Sequence, residues 1–449
     1  MPMSLSFAQR LLPKLPQICE RFGTPFHVYD ETGILKGGAR LNAAFAGCPG
    51  GFREYFAVKA NPNLVIMRLL LERLGFGFDC SSIPELVMAR QVGAKPQDIM
   101  FTSNNTSQEE FLEARKNGGC ILNLDDVTMV SKIPGLPDLA GLFSGGGQKS
   151  GMPELICFRY NPGERRQGGN SIIGKPHESK YGIRHDQIVD AYRLAIAAGA
   201  KRFGLHTMIC SNSLSEEYLV QTVEMLLVVA EEISASLGIT FEFINMGGGL
   251  GIPYRPEGQE LDIKIISQQA AAKLRSFGQK HGYAPRLLME SGRWVAGPHG
   301  VLVTRCINRV SKHFEIAGVD ACMSALMRPA VYDAYHHIDV MDGKNGRCKI
   351  DPSETPLAVV GSLCENWDQF TGPHFRRHRL LPEINEGDLV IIHDTGAHGY
   401  AMGFNYNGRL RPQELLLQED GSVVQIRRAE TVDDYLRTQQ LEFPPRLTF

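Results

Sequence analysis

Residues 202–251, RFGLHTMICSNSLSEEYLVQTVEMLLVVAEEISASLGITFEFINMGGGLG, decide the fold. They open on an apolar run ending near His206 and close on a second, FEFIN. Between the two, Leu219, Val223, Leu226, Ala230, Ile233 and Leu237 recur at spacings of 4-3-4-3-4, one face of an α-helix. Ser213 and Glu216 have the spacing of a capping box, and Gly238 suits a helix stop. A strand, a helix and a second strand within one such span form a unit of a parallel sheet.

The same alternation extends outward. Eight strand segments are expected at 54–60, 75–80, 98–104, 120–125, 155–161, 202–209, 241–247 and 286–290. Ser82 with Glu85, and Thr106 with Glu109, repeat the capping-box spacing after the second and third segments. Eight units in about 250 residues match a (β/α)₈ TIM-type barrel. An open doubly wound sheet for the first segments is the alternative. Beyond residue 300 the helical period fades. Short β-branched runs at 301–310, 357–361 and 388–392, and a hairpin turning at Asp420-Gly421, point to a C-terminal antiparallel β-domain. The glycine-rich stretch 135–151 reads as an insertion.

The whole chain of 449 residues is 43 % hydrophobic and 21 % charged, ordinary globular values that exclude a disordered or fibrous protein. Lys and Arg total 47 against 49 Asp and Glu, so no global positive field favours nucleic acid. The ten cysteines lack any C-x-x-C pair, which argues against a zinc site or a disulfide scaffold, and no metal is expected. Free thiols at this density suit a reducing cytoplasm. No apolar run is long enough to span a membrane, so none is expected as a partner.

In a barrel the chemistry gathers at the C-terminal ends of the strands. Read to their ends, the segments give Lys59, Asp79, Asn104, Asn123, Arg159, His206, Gly247–Gly249 and Glu290. Polar residues also end strands for turn reasons alone. Lys59 closes the apolar run YFAVK, where burial lowers an amine's pKa and fits it for a Schiff base; an exposed, snorkelling lysine is the plain alternative. Gly247, Gly248 and Gly249 allow close backbone approach to an anion, or simply a tight turn. His336 and His337 are adjacent and face opposite ways on a strand, a poor metal pair. Cys364, taken alone, reads as a buried and inert thiol.

Seven ordered motifs carry a resemblance: YFAVKANPN, GFDCSSIPEL, INMGGGLGIPY, ESGRWVAGP, RPAVYDAYHHI, GSLCENWDQF and GFNYNGRLRPQELL. Together they resemble the diaminopimelate decarboxylase family of fold-type III pyridoxal-phosphate (PLP) enzymes, from about residue 24 to 430. The resemblance implies a PLP-binding barrel over 34–295 and a β-domain built from 1–33 and 296–449. It implies decarboxylation of meso-2,6-diaminopimelate to L-lysine and CO₂, the last step of lysine biosynthesis. Lys59 is similar to the lysine that holds PLP, and Glu290 to the carboxylate beside the ring nitrogen. Gly247, Gly248, Gly249, Ser211, Gly292 and Arg293 resemble the phosphate cradle, with Asp79 at a cofactor-adjacent strand end. Arg293, Arg328 and Tyr332 resemble the grip on the substrate's distal carboxylate, Cys364 the acid that protonates the product, and Glu365 the reader of the distal amine. The resemblance also implies a homodimer in which the Cys364-Glu365 segment enters the neighbour's site.

Two departures stand out. The family's H-x-H-I-G-S reads His206-Thr207-Met208-Ile209-Cys210-Ser211, so Met208 holds the ring-stacking position while His206 keeps the first. The family's A-G-A-Y-G reads Thr395-Gly396-Ala397-His398-Gly399, placing His398 where a tyrosine touches cofactor and substrate. These departures keep open a related decarboxylase acting on D-lysine, ornithine or arginine, or a PLP-binding homologue without catalysis.

Overall fold

In the computed structural model, which describes residues 3–135, 151–167, 172–353, 355–372 and 378–441, the chain divides into two compact units. One is Thr32–Pro298; the other joins Pro2–Glu31 to His299–Phe449. The insertion expected at 135–151 lies, from 136 to 150, outside the described residues.

The first unit is a closed parallel barrel. Its strands, here numbered β1 to β8, are Phe52–Ala57, Gly77–Cys80, Ile99–Phe101, Ile121–Leu124, Leu155–Asn161, Arg202–His206, Phe243–Asn245 and Arg286–Met289. Each pairs in parallel with the next, and β8 returns to β1 through Leu287↔Phe52 and Met289↔Glu54. Closure settles the choice between barrel and open sheet, because an open sheet leaves two edges unpaired. Seven expected segments contain their strands, the first overlaps a strand that starts two residues earlier at Phe52, and six of the eight strands end earlier than expected.

Side-chain parity separates lumen from mantle. Tyr55, Met100, Ile121, Cys157, Phe243 and Leu288 form one buried cluster, the apolar plug of the barrel. Successive side chains alternate faces. The lumen residue two places further on is therefore Asn123 on β4, Arg159 on β5, Asn245 on β7 and Glu290 just past β8. Register adds Asp79, opposite Ala57, and His206, opposite both Arg159 and Asn245. Polar groups thus cap an apolar plug at the C-terminal mouth.

The long helix after β6 runs Glu216–Leu237 and ends on Gly238 at φ +68°, a left-handed stop. Its cap is Ser215, whose side chain accepts the Tyr218 N–H, and not Ser213. The box after β3 is Ser107 with Glu110, one residue beyond the expected Thr106 and Glu109; T-S-Q-E-E satisfies the spacing twice. Ser82 makes no side-chain cap, while Glu85 Oε2 accepts the Ser81 N–H at 2.6 Å.

The second unit is a mixed sheet rather than a purely antiparallel one. Gly300–Ser311 pairs antiparallel with Glu315–Val319 and Leu389–Ile392, and Gln413–Leu417 with Val423–Arg427. Phe26–Asp30, however, runs parallel to Gln413–Leu417, and Glu315–Val319 parallel to Leu357–Val360. Parallel neighbours need a long crossover, which distant chain segments supply. All ten cysteines are free. Among the described residues, no helix is long and apolar enough to cross a membrane.

Candidate active site

Lys59 does not end a strand. β1 stops at Ala57, and Val58–Ala60 form a 3₁₀ turn closed by Asn61 N–H to Val58 O. Pro62 follows, a residue that cannot donate to a ladder. The turn lifts the ammonium out of the lumen wall. Its side chain is 49 % exposed, so the desolvation expected for a buried lysine does not arise. Nζ lies 3.9 Å from Asp79 Oδ2.

Asp79 is buried, and among the described residues neither of its carboxyl oxygens has a hydrogen-bond partner. Burial first, then the nearby Glu290, push its carboxyl up to about 8, with Lys59 pulling against them. The folded value thus lies above the unfolded one. The stability that protonated Asp79 contributes is complete below the ordinary aspartate value of 3.8 and is lost as pH climbs through the raised value. Asp79→Asn removes that dependence. In melting experiments on cofactor-free protein, the variant should gain on the parent from about pH 4 to pH 8, by on the order of a few kcal/mol. A difference that stays constant across this window refutes the assignment.

Glu290 is the hub of the lumen. Its Oε1 accepts the Asn245 amide at 2.8 Å and lies 3.2 Å from His206 Nε2, a close approach without hydrogen-bond alignment. Burial alone would raise this carboxyl; His206, Lys59 and Asn245 outweigh it and hold Glu290 below the usual range. His206 is wholly buried, and burial pushes its imidazole down against the pull of Glu290.

The glycine turn is as tight as a chain can be. A Cβ on Gly247 would come 2.4 Å from Thr207 O, one on Gly248 2.6 Å from Glu290 O, and one on Gly249 2.3 Å from Cys210 Sγ. Gly247 N–H goes to Asn245 Oδ1 at 2.8 Å, and Gly248 N–H to the Met208 sulfur at 3.2 Å. Met208 therefore rests on the glycine turn. Nearby, Arg293 donates to Ser211 Oγ at 3.3 Å and to the Tyr254 hydroxyl. Gly292 sits where a Cβ would strike Ala60 at 2.6 Å, so this turn packs on the one that bears Lys59.

The barrel thus brings together Lys59, Asp79, His206, Glu290 and Gly247–Gly249 through direct contacts. A second cluster joins Ser211, Arg293 and Tyr254. The sequence reading passed over Asn245 and Tyr254. Lumen parity from Phe243 marks Asn245; Tyr254 ends the motif INMGGGLGIPY, but its role was not read from it. Arg159, counted only as a strand end, donates to Met208 O at 3.1 Å and lies 4.3 Å over the Tyr181 ring.

The remaining candidates lie on the second unit. Arg328 starts the helix Arg328–Tyr332, is 2 % exposed, and contacts His336 Nε2 at 2.8 Å. Arginine only donates, so that nitrogen accepts, and His336 Nδ1–H donates to His393 O at 2.7 Å. Tyr332 is half-buried. Cys364 is exposed rather than buried. Glu365 accepts the Trp367 N–H at 3.3 Å. His398 takes φ +57°, a backbone conformation in which histidine is more common than most side chains.

These lumen groups fit PLP. A buried carboxyl and imidazole lacking hydrogen-bond partners among the described residues, an accessible amine and glycines that admit no side chain match a ring, an aldehyde and a phosphate. The comparisons agree. The pyridoxal-binding domain of the pyridoxal-dependent decarboxylases matches residues 39–297. Protein TabA of Pseudomonas amygdali pv. tabaci is 46 % identical over 97 % of this chain and 96 % of its own. The diaminopimelate decarboxylase of Methanothermobacter thermautotrophicus is 35 % identical over 96 % and 94 %. A crystal structure of diaminopimelate decarboxylase from Helicobacter pylori, complexed with L-lysine, superposes with a TM-score of 0.79. It is 28 % identical and covers 94 % of this chain and 98 % of that one. The chain belongs to the fold-type III pyridoxal-dependent decarboxylases, carboxy-lyases that work with pyridoxal 5'-phosphate.

Proposed function

We propose that this decarboxylase converts meso-2,6-diaminopimelate to L-lysine and CO₂. The observation that carries the reading is the near-complete burial of two guanidinium groups, Arg293 at 8 % and Arg328 at 2 % exposure. Guanidinium groups held out of water suit bidentate binding of a carboxylate. A diacid keeps a carboxylate after losing the other, whereas ornithine ends in a bare ammonium.

When bound, PLP supplies an electron sink for the charge left at Cα as CO₂ departs. The chain's residues do the rest. Lys59 holds the cofactor's aldehyde from the accessible side of the mouth. Glu290, kept ionised, holds a proton at the ring nitrogen by charge pairing. His206 and Asp79 would line the place of the ring, and Met208 rests on the glycine turn with a polarisable thioether. Gly247–Gly249, Ser211, Gly292 and Arg293 receive the phosphate. Arg293, Arg328 and Tyr332 orient the distal carboxylate, and Glu365 reads the distal amine. Cys364 gives the proton that completes lysine. In a homodimer, Cys364 and Glu365 serve the barrel of the second copy, and His398 stands in for a tyrosine near the ring.

A second reading is favoured by Met208 and His398 and by the 46 % identity to Protein TabA: decarboxylation of another diamino acid. Release of CO₂ from diaminopimelate, D-lysine, ornithine and arginine, assayed side by side, separates the two. Diaminopimelate is expected to give the highest kcat/KM; a better rate on any of the others ends the first reading. Arg328→Ala should raise KM for diaminopimelate about ten- to a hundredfold while sparing kcat, the scale of one lost charged hydrogen bond. Unchanged kinetics would remove Arg328 from the substrate site.

A further inference from the structure

Glu54 is a carboxyl in the wrong layer. It lies on β1, in register with Met289, one place before Tyr55 of the lumen plug, so its side chain leaves the lumen for the layer beneath the helices. It is 0 % exposed. Oε1 accepts the backbone N–H of Ser291, and Oε2 has no hydrogen-bond partner among the described residues. Burying a carboxyl in such a place costs free energy that a leucine or valine would not.

The acceptor's target explains its presence. Ser291 stands between Glu290, whose carboxylate enters the lumen, and Gly292-Arg293, whose turn packs on Ala60. Along the sheet, Glu290 N–H is tied to Gly247 O at 2.9 Å. From the mantle side, the Ser291 amide is tied to Glu54. The short segment 290–293 is thus pinned both to the neighbouring strand end and from beneath the helices. We infer that Glu54 is a positioning residue: by accepting the Ser291 amide it fixes segment 290–293 and so sets how tightly the barrel holds pyridoxal phosphate. Burial, helped by Glu290 and opposed by Ser291, pushes the Glu54 carboxyl up to about 8, so at neutral pH it holds the turn without adding a second anion beside Glu290. The inference rests on the reading that Glu290 and Arg293 face the cofactor.

The test titrates cofactor-free protein with pyridoxal 5'-phosphate, following absorbance for Kd. Glu54→Met fills the space without an acceptor, while Glu54→Gln restores a neutral one. Glu54→Met is expected to weaken binding at least roughly tenfold, the scale of one hydrogen bond, and Glu54→Gln to stay within about threefold of the parent. A side chain that only fills space would let methionine bind as the parent does, and that result overturns the inference. So does Glu54→Gln binding as weakly as Glu54→Met. If the methionine variant is not recovered folded, Glu54→Asp takes its place with the same expectation, since it withdraws the acceptor by one methylene. Glu290→Ala is measured in parallel. If it alters Kd or the spectrum while Glu54→Met alters neither, the inference about Glu54 alone fails. If Glu290→Ala leaves both unchanged, the reading of the site fails first.

Discussion

Replacing Lys59 with alanine yields a folded protein that borohydride cannot label at this position and that releases no measurable CO₂ from any amino acid. The ammonium stands half exposed on the Val58–Ala60 turn, 3.9 Å from Asp79 Oδ2. Little packing is lost with it, so the melting temperature without cofactor should shift by no more than a degree or two, the usual range for a change outside the core. The response to PLP should change far more. A ligand present at a hundred times its Kd adds about 2.7 kcal/mol to stability, and the parent should show such a rise in melting temperature. In Lys59→Ala the phosphate turn and Glu290 remain, so a weaker, reversible rise is expected without covalent capture. Activity should fall by at least roughly three orders of magnitude, because a positioned covalent contact becomes a bimolecular encounter. Borohydride labelling of another lysine in the parent, or a variant that keeps a tenth of the activity, would displace Lys59 from the centre of the site.

The same turn shows where sequence reading stops. The run Glu54–Ala60 reads as an uninterrupted strand because its side chains are apolar or aromatic around Tyr55 and Phe56. The backbone nevertheless leaves the ladder at Ala57, since Asn61 and Asn63 draw the chain into local hydrogen bonds. Strand centres were legible because eight apolar runs recur between helical stretches. Strand ends were not, because pairing decides them, and pairing partners such as Met289 and Glu54 stand more than two hundred residues apart. Overlapping signals misled in the same way at the helix starts: Ser213 and Ser215 both precede Glu216 at workable spacings, and only geometry chose Ser215.

Within the barrel, Lys59, Asp79, His206, Glu290 and Gly247–Gly249, all named from the sequence, gather at the mouth, whereas Arg328, Tyr332, Cys364, Glu365 and His398 lie on the second unit; the wiring of the barrel group was not on view. Asn245 ties Glu290 to the glycine turn with one amide, donating with Nδ2 and accepting with Oδ1. Nothing local to FEFIN announces this, although counting two places from the plug residue Phe243 puts Asn245 in the lumen. Glu54 was hidden for the opposite reason. It is the one acid in β1, next to Arg53, and a polar residue there reads as solvent-facing until the helices are seen to cover it.

Cys364→Ala should leave cofactor binding within about twofold of the parent while turnover falls roughly 10²- to 10⁴-fold, the range for loss of one general acid. The local structure makes this a clean experiment. The thiol is exposed, so its removal opens no cavity. The loop that carries it is held by others. Cys364 N–H donates to Asn407 Oδ1 at 2.9 Å, Leu363 N–H to Asp368 Oδ2 at 2.7 Å, and Arg409 reaches Ser362 O at 2.5 Å. Asp368 also accepts Met323 N–H at 2.6 Å, and Gly361 lies where any Cβ would enter that carboxyl group. None of these contacts uses the Cys364 side chain, so alanine keeps the loop in place and removes only the proton donor. Cys364→Ser, with a hydroxyl of similar reach, should fall between the parent and alanine. If the thiol donates the proton, deuterium from solvent will enter the product at the carbon that lost CO₂ (Cε of lysine) with one configuration in the parent and with a mixture in Cys364→Ala. An alanine variant that turns over within a factor of three of the parent, and with unchanged stereochemistry, would assign the proton to another group and leave Cys364 as a residue of the loop.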